Sequence, residues 1–150
     1  MGNALTSHSD IVQRREAYIE AVLNLEPRVF VTLVLGLEMR PETALERCKE
    51  FLKRVERVGH GSRWAKWPPH ERLRAYGFVE HLASNLHWHI PIAGPDDLLV
   101  AALNQGRAIW GKMRPSGQFD AQIIRDPEAV AKYVTKALCS VQSFDLVLVY

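Results

Sequence analysis

The stretch RLRAYGFVEHLASNLHWHIPI, residues 72–92, leaves few ways to fold. Two runs rich in aromatic and aliphatic residues flank LASN, which has the small, polar make-up of a turn, so the segment reads as a β-hairpin. Side chains alternate between faces along a strand. Leu86, Trp88, Ile90 and Ile92 therefore share one face, and His87 and His89 share the other. If LASN is a four-residue turn, His81 lies opposite Leu86, Glu80 opposite His87 and Phe78 opposite His89. A slip of one residue would bury both histidines and expose the apolar row, so the pattern selects this register.

The flanking elements follow from periodicity. Residues 10–25 carry Ile11, Tyr18, Ile19, Val22 and Leu23 at helical spacing, predicting an amphipathic helix. RVFVTLVLG reads as a buried strand ending at Gly36. Pro41 suits a first helical turn, and Leu45, Cys48, Leu52, Val55 and Val58 carry a helix over about 41–58. GHGSRWAKWPPHE is a loop by its glycines and prolines. After the hairpin, GPDDLLVAALNQGRAIWGKM predicts a helix capped near Asp96 that Gly106 can shorten. GQFDAQII predicts a strand. Asp126 and Pro127 open a helix through Leu138, and FDLVLV offers a final strand. From first strand to fourth the order is β-α-β-β-α-β, the split β-α-β pattern of ferredoxin-like α+β domains. It predicts one domain with an antiparallel sheet, helices on one face and the other face free for a site.

Composition fits a globular chain: of 150 residues, 47% are apolar and 24% charged, with no apolar run near the roughly 20 residues of a membrane helix. The opening MGNALTSHSD lacks the apolar core of a secretory signal. Cys48 and Cys139 are far apart on helical patterns, which suits a reducing, cytoplasmic setting. The net charge is +2, yet residues 47–74 hold nine Arg or Lys against three Glu, a local +6. Such a sector points to a polyanionic partner or to a solvated helix face with ion pairs. Within it, RWAKW sets Trp64 and Trp67 beside Arg63 and Lys66, with Arg72 and Arg74 following. These six residues make a candidate surface for single-stranded DNA, where rings stack and cations meet phosphates. Equally, the tryptophans can pin the loop to the core.

Glu80, His87 and His89 share a face at cross-strand spacing, roughly 4.5–5.5 Å between opposed Cβ atoms. Two imidazoles and a carboxylate can bind one divalent ion and leave coordination positions open, as a catalytic site does. The alternative is two partly exposed strand histidines. Further on, Tyr133 and Lys136 in IRDPEAVAKYVTKAL are three apart on one helix face.

FVTLVL on a first strand, HWH on a hairpin and YVTK on a late helix, in that order, resemble the three motifs of HUH endonucleases. These are replication initiators of rolling-circle plasmids, phages and small circular single-stranded DNA viruses, with relatives among relaxases and single-strand transposases. The likeness spans about residues 29–138. It implies that His87, His89 and Glu80 bind Mg²⁺ or Mn²⁺, that Tyr133 is the nucleophile and that Lys136 assists at the phosphate. The implied activity is nicking and joining of single-stranded origin DNA, with a stem-loop as one form of the target, through a 5′-phosphotyrosine intermediate. The single tyrosine with Tyr-x-x-Lys looks more like a replication initiator (Rep) than a transposase, and implies a bacterial, phage or plasmid setting. The chain has no room for a helicase domain, so a Rep of this size is minimal, an isolated nuclease domain, or one that recruits a host helicase. Two other readings stand beside it: a single-strand transposase, and a non-catalytic nucleic-acid-binding module on the same fold.

Overall fold

A computed structural model describes residues 7–36 and 39–150. Most of the stretch read for a signal core, residues 1–6, lies outside them. Helix α1 (His8–Leu25) starts at Ser7, whose hydroxyl accepts from the Asp10 amide while the Asp10 carboxylate accepts from the Ser7 amide. This reciprocal cap satisfies donors that a helix start leaves open. Strand β1 (Val29–Gly36), helix α2 (Pro41–His60) and two short 3₁₀ turns (Gly61–Lys66, Pro69–Glu71) lead to β2 (Arg74–Glu80) and β3 (Leu86–Ala93). Then come α3 (Asp96–Met113), β4 (Gln118–Ile123), α4 (Pro127–Thr135), α5 (Val141–Asp145) and β5 (Leu148–Val149).

The strands form one antiparallel sheet in the order β4-β1-β3-β2-β5. The first four strands have the split β-α-β arrangement read from the sequence, an α+β fold compatible with the ferredoxin-like class, and β5 adds an edge beside β2. The predicted hairpin register holds, with Glu80 opposite His87 and Phe78 opposite His89.

Burial alternates along β1: Val29, Val31, Leu33 and Leu35 are buried, while Phe30, Thr32 and Val34 are half-covered. The buried row meets α2 and α3 in the main core, with Phe51, Leu52, Val55, Leu98 and Trp110 packing against Trp88, Ile90 and Ile92. These are the two crossover helices, on one face as expected. The opposite face is not bare, which corrects the expectation of a free surface. There α1 and α4 pack through Val22, Ala131 and Val134 onto Phe78, and the Tyr18 ring meets Phe78 edge-on at 5.8 Å. Apolar residues on that face of the sheet, Phe30, Tyr76 and Phe78, need a cover, and an amphipathic helix supplies it.

Several local expectations shift for identifiable reasons. Gly106 does not shorten α3; a Cβ there would stand 2.4 Å from the Phe119 ring, so glycine admits the close approach of helix and β4. The cap position of α3 is Pro95, and Asp96, its first residue, pairs with Arg28. Helix α4 ends at Thr135, whose hydroxyl bonds back to the Ala131 carbonyl at 2.7 Å, and Lys136 caps it. The final strand is short because Ser140 and Ser143 cap each other and draw Phe144 and Asp145 into α5. Cys48 is buried in the core, and Cys139, past the end of α4 and not on a helix, is exposed and free. No described helix is long and apolar enough to cross a membrane.

Trp88 is fully buried and its indole N–H donates to the Leu146 carbonyl at 3.3 Å. Trp88→Ala is expected to cost about 3–5 kcal/mol, read as a loss of stability in denaturant unfolding.

Candidate metal centre

Hairpin register, then a neighbouring strand, build the cluster. Glu80 at the end of β2 faces His87 directly and His89 diagonally, on the side of the sheet that carries Phe30 and Thr32. One Glu80 oxygen, Oε2, lies 3.1 Å from His87 Nε2 and 2.6 Å from His89 Nε2. One ligand atom from each of the three residues falls within 4.8 Å of the others, so the group could hold a metal ion.

The far side of each imidazole is held. Thr32 Oγ1 on β1 lies 3.0 Å from His89 Nδ1, and the Asn85 carbonyl lies 2.9 Å from His87 Nδ1. Both Nε2 atoms are thereby aimed at Glu80, the arrangement in which outer partners orient metal-binding imidazoles. The Asn85 carbonyl only accepts, so His87 Nδ1 carries a hydrogen and Nε2 is the ring atom left to face the carboxylate. The short approach of Nε2 to Glu80 Oε2 is bridged by a proton on the imidazole or by a cation. The donor set therefore fits a divalent ion.

Protonation states agree with that fit. Burial is the largest influence on His89 and outweighs the opposing pull of Glu80, holding its pKa below the usual imidazole value and favouring the neutral ligand form. Burial alone would raise the Glu80 carboxyl, but hydrogen bonds from His89 and then His87 outweigh it and hold the pKa below the ordinary glutamate value. The carboxylate is thus ionised at neutral pH.

Helix α4 brings in the predicted pair. Asp126 Oδ1 accepts from the Ala129 amide at 3.0 Å and fixes the helix start. Ala131 and Val134 anchor its inner side, which leaves Tyr133 at the rim, 43% exposed. The Tyr133 ring stands 5.3 Å from that of His89, and Lys136 Nζ lies over the Tyr133 ring, 4.0 Å from its centre. Phe30 stacks on His89 at 5.5 Å and meets Tyr133 edge-on at 6.2 Å. Glu80, His87, His89, Tyr133 and Lys136 thus converge. His89 is buried, at 6% exposure, rather than standing on an open face, because Phe30 and Tyr133 flank it.

The residues of the candidate DNA-binding loop lie elsewhere. Arg74 stands six residue steps from Glu80 along β2, about 20 Å at strand rise. Trp64, Trp67 and Arg72 instead meet α2, at Arg57, His60 and Glu56, the helix on the sheet face opposite the cluster. Trp64 contacts the guanidiniums of Arg57 and Arg72 at 5.8 and 5.2 Å, and Trp67 stacks on His60 at 4.1 Å. Arg72 is committed to the fully buried Glu56, at 2.9 Å. The same carboxylate accepts from the Leu73 amide at 2.7 Å and the Tyr150 hydroxyl at 2.8 Å. Arg63, Lys66 and Arg74 remain exposed. Much of the remaining basic sector lies on α2, across the sheet from the cluster.

Sequence reasoning missed Thr32 and the Asn85 carbonyl as outer partners, and Phe30 as the ring beside His89. Thr32 was in plain view inside FVTLVL, and its signal was positional: a lone polar residue in an apolar strand. No protein-family model matches the chain, and no curated protein or solved structure was found to match it.

Thr32→Val should lower divalent-metal affinity by about 10- to 100-fold in calorimetric titration. His87→Ala and His89→Ala should each abolish binding, with the His89 variant melting earlier because that ring is packed. Arg72→Ala should destabilise the fold by about 3 kcal/mol by stranding Glu56; chemical denaturation measures it.

Proposed function

We propose that the protein nicks and rejoins single-stranded DNA with Tyr133 as the attacking group. The observation that carries this reading is the placement of Tyr133, exposed and against His89, beside a carboxylate and two imidazoles whose nitrogens converge. Ala131 and Val134 carry the packing of α4, and Tyr133 is not among its buried residues. It stands outward, at the one cluster of metal-ligating side chains found among the described residues.

Glu80, His87 and His89 would hold a divalent ion, Mg²⁺ or Mn²⁺, which draws charge from a phosphodiester and makes it a better electrophile. Tyr133 Oη attacks phosphorus; the new P–O bond forms as the bond to the 3′-oxygen breaks. The tyrosine proton passes to solvent and the leaving oxygen takes one up, giving a free 3′-hydroxyl and a 5′-phosphotyrosine. That linkage retains the phosphoester, so a 3′-hydroxyl can attack it and reseal the strand. Lys136 lies over the tyrosine ring, where an ammonium offsets negative charge on the phenolic oxygen and the phosphate. Phe30 and Lys136 bracket the Tyr133 ring and limit its swing.

This reading extends to a role in initiating rolling-circle replication on origin DNA, with a host helicase as partner, in a bacterial, phage or plasmid setting.

Tyr133→Phe removes the nucleophilic oxygen and keeps the ring. With single-stranded DNA and Mn²⁺, the wild-type protein should give a covalent adduct on a denaturing gel and the variant none, while DNA affinity changes by no more than a few fold. An adduct of normal yield from Tyr133→Phe would sink the assignment. No metal-dependent cleavage by the wild-type protein would leave a binding module.

A further inference from the structure

His81 stands outside the three-residue cluster, yet the turn directs it there. In a regular strand it would follow Glu80 onto the opposite face, the side of Val79 and Trp88. Instead its backbone has φ 57°, one of two positive values among the described non-glycine residues. That conformation is uncommon for a residue with a Cβ, and histidine is among those that enter it more readily. It breaks the alternation and turns the side chain back toward Glu80. His81 Nε2 lies 3.9 Å from Glu80 Oε1, and its ring centre lies 4.9 Å from that of His87. Glu80 thus has a histidine on each of its oxygens, because Oε2 already faces His87 and His89.

We propose that His81 is a fourth protein ligand of the ion held by Glu80, His87 and His89. The proposal rests on the metal reading above and deepens it. Two donors on one ion with bonds near 2.1 Å stand at most about 4.2 Å apart; His81 Nε2 meets that limit toward Glu80 Oε1 but stands outside the 4.8 Å group of Glu80, His87 and His89, so its ring must turn inward to join them. The His81 side chain is 55% exposed, so its ring has room to close on an ion. Three imidazoles and one carboxylate form a nitrogen-rich set. Such a set suits Mn²⁺, Co²⁺ or Zn²⁺, whereas Mg²⁺ prefers oxygen donors and keeps several waters. His81 thereby sets which metal the site accepts.

The test is calorimetric titration of the whole chain with Mn²⁺ and with Mg²⁺, for wild type, His81→Ala and His81→Asn. Asparagine tolerates the positive φ, so it preserves the turn while removing the imidazole. Both variants should bind Mn²⁺ about tenfold or more weakly, with Mg²⁺ affinity changed less than about twofold. The visible spectrum of bound Co²⁺ should also change, which a purely structural role would not produce. Unchanged Mn²⁺ affinity in both variants overturns the proposal, as does loss in His81→Ala that His81→Asn restores in full, since that assigns a turn role. If the wild-type protein binds no metal at all, the metal reading itself fails and takes this ligand with it.

Discussion

The pairing of β2 with β3 in a single register is the constraint on which the rest of the molecule depends. Glu80 opposite His87 places the carboxylate within reach of both imidazoles, and the same register drives Trp88, Ile90 and Ile92 into the core against α2 and α3. A shift by one residue would reverse both outcomes, because side-chain direction repeats every two residues. The apolar row therefore enforces the polar one: the free energy of burying Trp88 and the isoleucines holds the histidines and Glu80 where they meet.

β1 completes what the hairpin begins. It lies on the other side of β3, and Thr32, paired with His89, turns the imidazole by holding Nδ1. Phe30, two residues earlier on the same face, packs on the His89 ring and reaches Tyr133. Three adjacent strands and one helix thus contribute to the cluster. Its histidines are oriented from outside by a hydroxyl and a carbonyl, so loosening either partner would loosen the donor geometry.

The basic stretch of the sequence and the cluster lie on different faces of the sheet. The basic residues of α2 project away from the core on the side opposite the cluster, and the 3₁₀ turns that follow are tied down by Glu56, Arg72 and Tyr150. The cation beside the cluster is Lys136, not a residue of α2. Arg74 shares the cluster's face but lies about 20 Å along β2, beyond Tyr76 and Phe78, which α1 and α4 cover. The stretch RWAKW therefore has a packing role at its tryptophans, Trp64 against two arginines and Trp67 against His60, whatever its exposed cations bind.

The sequence by itself determined the order of elements from α1 to α4, the hairpin register and the convergence of Glu80, His87 and His89, because all three follow from local propensity and a two-residue period. It also marked Tyr133 and Lys136 as neighbours, since helical spacing is local too. It did not reveal that α1 and α4 cover the face of the sheet beside the site, that Thr32 orients His89, or that Arg72 is spent on Glu56. Those facts join residues 16 to 57 positions or more apart. They depend on which surfaces meet once the sheet has formed. His81 lies between the two cases: strand alternation sends it away from Glu80, and only the left-handed backbone of the folded turn brings it back.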